Sequence, residues 1–406
     1  MEEQQLWEAC FDGKVNYVQK LLENPQININ WQDFGLKRTS FYVACFFGHI
    51  EIVKLLLNDN RVDVNKALEF SLESGATPFF IACENGHLGV MKLLLNDERV
   101  DINKATNDGV TPFYVACRNG HIEIVKLLLN DQRFDLNTAL DIDLVPFYVA
   151  CENGHIEIVK LLLNDERVNL NNPTNDVSTP FYLACESGHI EIVKLLLNDN
   201  RVDIGINQTN EGTTPLWIIC YNGKIEIVKL LLNDERIDVN KVTNFVNDQA
   251  NEGTTPFYAA CDQERLEIVK LLLNDERVDI NKAGKNFEMD DVDKVTPFYV
   301  ACRRGYIEIV KEFLSSGREV NVNAKDNKGR TAIDVARERA LIFKNRWETE
   351  GDFQNNFVDI VELLESFETN PNETRLKLRL QLGFAGKLLI YFFFFLILIR
   401  ILNDNN

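Results

Sequence analysis

Apolar residues along this chain fall into two short phases that always recur together. The stretch TPFYVACRNGHIEIVK, residues 111–126, carries both, and LLLND follows it. Thr111 is a good N-cap, and Pro112 suits the first helical turn, where no amide hydrogen is needed. A short helix is therefore expected through Phe113, Val115, Ala116 and Cys117, ended by Gly120. A second helix then carries Ile122, Ile124, Val125, Leu127, Leu128 and Leu129, apolar around most of its circumference, with Glu123 and Lys126 left outside as an i, i+3 pair. One partner helix cannot cover so wide an apolar face. Neighbouring copies on both sides can, so the units are expected to stack. The polar stretch that follows, NDQRFDLN here and NDERVDIN elsewhere, often ends in Asp-Gly or Glu-Gly before the next Thr, which is a turn signal.

Copies begin at Thr39, Thr77, Thr111, Val145, Thr179, Thr214, Thr255 and Thr296, with a truncated one at Leu6, so the usual spacing is 34 residues with stretches to 41. A fixed period of this length signals a solenoid. The twelve residues GHIEIVKLLLND recur unchanged at 48–59, 120–131, 154–165 and 188–199, the mark of recent internal duplication.

The unit resembles an ankyrin repeat, whose family pattern runs T-P-L-H-x-A-A-x-x-G-H, then a helix ending in Leu-Leu and a V-N tail. The resemblance covers about residues 4–366. It implies an all-α solenoid of stacked helix-turn-helix units with projecting turns or β-hairpins. Departures are systematic. Phe stands for the Leu, Cys for the second Ala, one residue is added after the second helix, and an aromatic column (Tyr42, Phe80, Tyr114, Tyr148, Tyr182, Trp217, Tyr258, Tyr299) replaces a family His that ties repeats by hydrogen bonds.

The domain reading is one array over residues 1–366, about nine repeats plus a C-terminal capping unit, then a basic linker at 367–381 and a hydrophobic tail at 382–402. Residues 6–22 form the N-terminal cap. Residues 328–337 resemble a final first helix and 357–364 a final second helix, with an insertion at 341–356.

Charge and chemistry narrow the function classes. The nine Cys (10, 45, 83, 117, 151, 185, 220, 261, 302) fall one per repeat at one helical position. Stacked helices lie about 8 to 10 Å apart, too far for a disulfide that needs Cα atoms within about 7 Å. They are read as small buried hydrophobes, compatible with a reducing compartment, and neither a disulfide nor a metal site is expected. The five His (49, 87, 121, 155, 189) all follow the repeat Gly, so no Cys-His pair or His-based metal centre remains to be placed. No phosphate-binding glycine motif occurs. The net charge is −19, and about −21 without residues 367–406, which argues against nucleic acid. No enzyme and no cofactor are expected.

By resemblance to the family, recognition uses the turn tips and the two residues after the Ala-Ala position. These are Phe46 and Phe47, Glu84 and Asn85, Arg118 and Asn119, Glu152 and Asn153, Glu186 and Ser187, Tyr221 and Asn222, Asp262 and Gln263, Arg303 and Arg304. Near-identical copies disagree at these positions. A binding stripe would look so, and so would drift at exposed sites. Phe46, Phe47 and Tyr221 stand out because aromatic residues are enriched at hot spots; the alternative is that they pack on a neighbouring repeat. Three turns are longer than the rest, at 67–76, 242–254 and 283–295; insertions in solenoids often map to the binding face, and neutral slack is the equal alternative.

The tail holds an unbroken apolar run at 388–399. Alone it spans only about 18 Å as a helix, but 382–402 spans about 31 Å if Lys387 and Arg400 reach the head groups. That matches the roughly 30 Å of a bilayer core. Arg375, Lys377, Arg379 and Lys387 precede it, so the positive-inside tendency would leave the array in the cytosol. The alternatives are a terminus packed on protein and an aggregation-prone strand. The N-terminus, MEEQQLWEAC, has no basic start or apolar run, so nothing in it suggests secretion. The reading is a non-enzymatic protein-binding scaffold in the cytoplasm, tethered to a membrane by its tail. The alternative is an adaptor that recruits a substrate to a separate enzyme.

Overall fold

A computed structural model describes residues 2–69, 74–134, 136, 145–171, 178–204, 212–243, 253–284, 294–346 and 351–382, the helical residues between 343 and 355 by their backbone alone. Most of the three long turns and all of the tail after Leu382 lie outside the described residues. Among the described residues the regular structure is helical, and the isolated bridges Gln32 to Thr39 and Gly284 to Val295 close turns without forming a sheet.

The chain divides into two compact units, Met1–Asn207 and Gln208–Asn406. The first holds α1 (Glu2–Phe11) with α2 (Val15–Leu22), α3 (Ser40–Phe47) with α4 (Ile50–Leu57), α5 (Pro78–Glu84) with α6 (Leu88–Leu95), α7 (Pro112–Arg118) with α8 (Ile122–Leu129), α9 (Pro146–Glu152) with α10 (Ile156–Leu163), and α11 (Pro180–Ser187) with α12 (Ile190–Leu197). The second holds α13 (Pro215–Asn222) with α14 (Ile225–Leu232), α15 (Pro256–Asp262) with α16 (Leu266–Leu273), α17 (Pro297–Arg304) with α18 (Ile307–Ser315), then α19 (Ala332–Arg346), α20 (Gly351–Thr369) and α21 (Pro371–Gln381). Within each unit first helices pack on first helices and second on second. This is the ankyrin-type solenoid expected from the repeat.

Local chemistry sets the helix ends. Thr111 Oγ1 accepts from the Tyr114 amide at 3.1 Å, and Thr39, Thr77, Thr179, Thr214, Thr255 and Thr296 cap their helices in the same way. At Gly120 the backbone is left-handed (φ 76°), and a Cβ there would lie 2.7 Å from the ring of His155 in the next repeat. Both facts require glycine. The first helices from α3 to α17 bury half or more of their residues, as with Pro112–Cys117 of α7. The second helices are less deeply covered than their composition suggests: α8 buries Ile124, Val125 and Leu128, while Ile122, Leu127 and Leu129 are only half-buried. All nine Cys are free and buried, and burial pushes the Cys10 thiol up to about 12 and Cys117 higher still.

The C-terminal region departs from the sequence reading. Of the insertion at 341–356, residues 341–346 belong to α19 and 351–356 to α20, and 347–350 lie outside the described residues. Residues 371–381, expected within a basic linker, form α21, which packs on α18 and α20. Asn370 caps it, Pro371 stands in its first turn, and Leu378 is buried. Two of its arginines donate to the end of α18, Arg375 Nε to Leu314 O at 3.3 Å and Arg379 Nε to Ser315 O at 2.8 Å. Those carbonyls have no partner within their own helix, and positive charge is favoured there. Among the described residues no helix is long and apolar enough to cross a membrane.

Candidate protein-binding surface

Consecutive repeats are tied by three hydrogen-bond ladders, and these fix the carrier on which the variable positions sit. The His after each repeat Gly reaches the carbonyl of the first variable residue one repeat earlier: His87 Nε2 to Phe46 O at 2.8 Å, His121 to Glu84 O at 2.8 Å, His155 to Arg118 O at 2.9 Å and His189 to Glu152 O at 2.8 Å. A carbonyl only accepts, so each Nε2 carries the hydrogen. Where His is replaced, Arg265 Nε donates to Tyr221 O at 2.9 Å. The second ladder uses the Arg of NDxR. Arg99, Arg133, Arg167, Arg201 and Arg277 each clasp the Asp two residues back and donate to the last carbonyl of the preceding second helix, as Arg99 Nη2 does to Leu57 O at 2.7 Å. In the third, Asn65 Nδ2 donates to Arg99 O at 2.7 Å while its Oδ1 accepts from Asp101 N at 2.8 Å, a pairing repeated at Asn30, Asn171, Asn240 and Asn281.

The aromatic column takes over only part of the tying role that the family His has. Trp217 Nε1 donates to Thr254 Oγ1 at 2.9 Å and Tyr299 Oη to Asp326 Oδ2 at 2.6 Å, whereas Tyr258 Oη is buried without a partner.

The variable pairs stand at the ends of the first helices in a consistent pose. In the first position Phe46, Glu84, Arg118, Glu152, Glu186, Tyr221 and Arg303 are half-buried, and Asp262 is buried. In the second, Phe47, Asn85, Asn119, Asn153, Ser187 and Asn222 are exposed, with Gln263 and Arg304 half-buried. Several are spent on each other. Arg118 pairs with Glu84 at 2.9 Å, and Asn85 and Asn119 donate to Phe46 O and Glu84 O. Burial, and then the charge of Glu152, push the Glu186 carboxyl up.

The aromatic residues divide between packing and exposure. In the first unit Phe46 meets Phe47 edge-on (centroids 4.9 Å), Phe47 meets Phe11 edge-on (4.7 Å), and Phe11 stacks on Trp7 (5.4 Å), over which the Arg38 guanidinium lies at 5.2 Å. Phe47 remains 38% exposed and Phe11 41%, so the cluster is held by its members and still open on one side. Trp7 and Phe11 were not among the expected site residues. The first copy departs from the repeat pattern and reads as a cap, although the position of Phe11 after the Ala-Cys step marks it as the counterpart of Phe46. Tyr221 stacks on Trp217 at 5.1 Å and is half-buried.

Family descriptions agree with this architecture. Ankyrin repeats (3 copies) match residues 64–139, 138–208 and 200–283, and ankyrin repeats (many copies) match 6–57 and 283–336. The chain belongs to the ankyrin repeat family. Among solved structures it is similar to the crystal structure of human ASB11 ankyrin repeat domain, with 20% identity over 62% of this chain and 97% of that chain and a TM-score of 0.46. No curated protein matches. The family's repeats are protein-interaction modules, which makes a protein-binding scaffold the class of this molecule.

Proposed function

We propose that the chain is a non-enzymatic scaffold whose protein partner engages the variable stripe, with Trp7, Phe11, Phe46 and Phe47 as its aromatic anchor. The observation that carries this is the open face of that cluster at the helix ends where the copies differ. All five His are engaged in tying repeats and all nine Cys are packed in the core, so neither type is left for chemistry. The test is Phe11→Ala with Phe47→Ala, read by capture of partners from the source cell. Hot-spot truncations cost on the order of 2 kcal/mol or more of binding, so capture should fall while melting shifts little. If melting collapses and affinity per folded molecule stays put, the cluster is core and the anchor assignment is wrong.

The reading extends to a membrane tether through residues 382–402, with the array on the cytosolic side. Its support is the apolar run at 388–399, flanked by Lys387 and Arg400. An Asp at Phe393 should add roughly 2.5 to 3.5 kcal/mol to insertion at the helix centre. After alkaline carbonate extraction the full chain is expected in the pellet and Phe393→Asp in the supernatant. A full chain that stays soluble as a folded monomer rules the tether out.

A further inference from the structure

In a chain of net charge −19 the second unit carries four arginines on the packed pair α17 and α19, close enough for the other three to act on the charge of Arg303: Arg303 and Arg304 on α17, Arg330 in the turn before α19, and Arg339 on α19. Two are neutralised by the chain itself. Arg304 donates twice to the buried Asp262, from Nη2 at 2.9 Å and Nε at 3.1 Å. Arg330 donates to Asp326 at 2.9 Å and to Glu338 at 2.6 Å. Asp326 has no capacity to spare, because it also accepts from the Tyr299 hydroxyl and from the amides of Lys328 and Arg330. Among the described residues neither Arg303 nor Arg339 forms an ion pair or side-chain hydrogen bond, and Arg303 Nη1 is buried without a partner.

The deficit is local. Among the described residues, the two buried side-chain polar atoms without a hydrogen-bond partner are Arg303 Nη1 on α17 and Tyr258 Oη on α15, the helix packed beside it. Buried donors in native structures are nearly always satisfied, so a pair of exceptions on two packed helices marks a site that the described residues do not complete. Burial first, and then the charges of Arg339, Arg330 and Arg304, push the Arg303 guanidinium below its ordinary value, whereas Tyr299 alone pulls the other way. A cation is driven in that direction where counter-charge is missing.

We propose that Arg303 and Arg339 bind an oxyanion carried on a short segment of a protein partner, either the carboxylate of Asp or Glu or the phosphate of a modified Ser. This deepens the stripe reading and rests on it, since Arg303 is one of the variable positions. The guanidinium fork matches the two oxygens of either group. The acidic remainder of the array repels an extended polyanion, which favours a short acidic segment over nucleic acid.

The test is fluorescence anisotropy with the full chain and a fluorescein-labelled peptide of six glutamates in a Gly-Ser frame, beside its phosphoserine counterpart. Arg303→Gln with Arg339→Gln should weaken binding at least ten-fold and leave melting unchanged or slightly higher, because two like charges are removed. Lys311→Gln, a single-charge control on α18, should change neither. Tighter binding of the phosphoserine peptide with the same loss in the double variant supports the site and assigns its anion. The proposal fails if the wild-type chain binds neither peptide, if the double variant binds as before, or if its melting drops, which would make the arginines structural. The aromatic anchor is tested separately by partner capture, so either idea can fall without the other.

Discussion

Glu264 stands at φ 54° where most other copies have glycine, in a region that costs a residue with a Cβ roughly 1 to 2 kcal/mol. Glu264→Gly is therefore expected to stabilise the second unit by about 1 kcal/mol, less what the more flexible unfolded chain takes back. Val145 is the complementary case. It occupies the N-cap of α9 without a side-chain acceptor, while seven other first helices have Thr. Val145→Thr should add about 1 kcal/mol if its hydroxyl finds the amide of residue 148. Urea midpoints of the two variants decide both, and a lower midpoint in either refutes that argument. The caps were legible in the sequence because donor and acceptor lie three residues apart on a known geometry. The ladders were not. His121, Arg133 and Asn103 bond to backbone carbonyls 30 to 38 residues away, and a carbonyl leaves no trace in the sequence. What the sequence did show was the constancy of GH and NDxR, without its cause.

Helices are readable wherever the repeat supplies a template and only in part beyond it: 357–364 falls within α20, whereas 371–381 reads as a linker and forms α21. In α21 the residues PNETRLKLRLQ look like a charged connector, since only Leu378 among the leucines is deeply buried, with Leu376 and Leu380 about half-exposed. In the sequence their positive charge reads as a positive-inside signal ahead of the tail, and in the structure Arg375 and Arg379 donate to the carbonyl end of α18. This sets an expectation for the element. Arg375→Gln with Arg379→Gln should loosen α21 from α18, costing about 1 to 3 kcal/mol for the pair of charge-assisted bonds. Hydrogen exchange would show it as faster amides in 371–381 with α1 to α12 unchanged. Protection that stays at the wild-type level would mean that Leu378 and its neighbours hold the helix unaided. The positions that vary between copies can be read from the sequence, but the pairs they form cannot. Copy-to-copy differences point to Arg118 and Asp262, and only the structure pairs them with Glu84 and Arg304.

Repetition turns small terms into a property of the whole chain. Asp59, Asp97, Asp131, Asp165, Asp199, Asp234 and Asp275 are each held below the usual carboxylate range, chiefly by the side-chain hydrogen bond from the Arg two residues on. Each pair is partly exposed and weak by itself, but in a stack of repeats such terms sum along the array. The sign follows from the direction. A carboxyl whose folded value lies below its unfolded value of about 3.9 contributes fully above that value, and the contribution is lost as pH falls through the folded one. Glu186 and Glu312 run the other way, because burial raises them, so acid relieves them before it harms the aspartates. The shrinking net charge also lessens repulsion between pH 7 and about 5. Melting followed by circular dichroism should therefore hold steady or rise slightly from pH 7 to about 5, then fall steeply below about 4. In 1 M salt the acid limb should be shallower, because these pairs are screened. An array that melts at the same temperature at pH 3 as at pH 7 would show that the seven Asp–Arg pairs add no net stability, and that NDxR is kept for the Arg-to-carbonyl bonds alone.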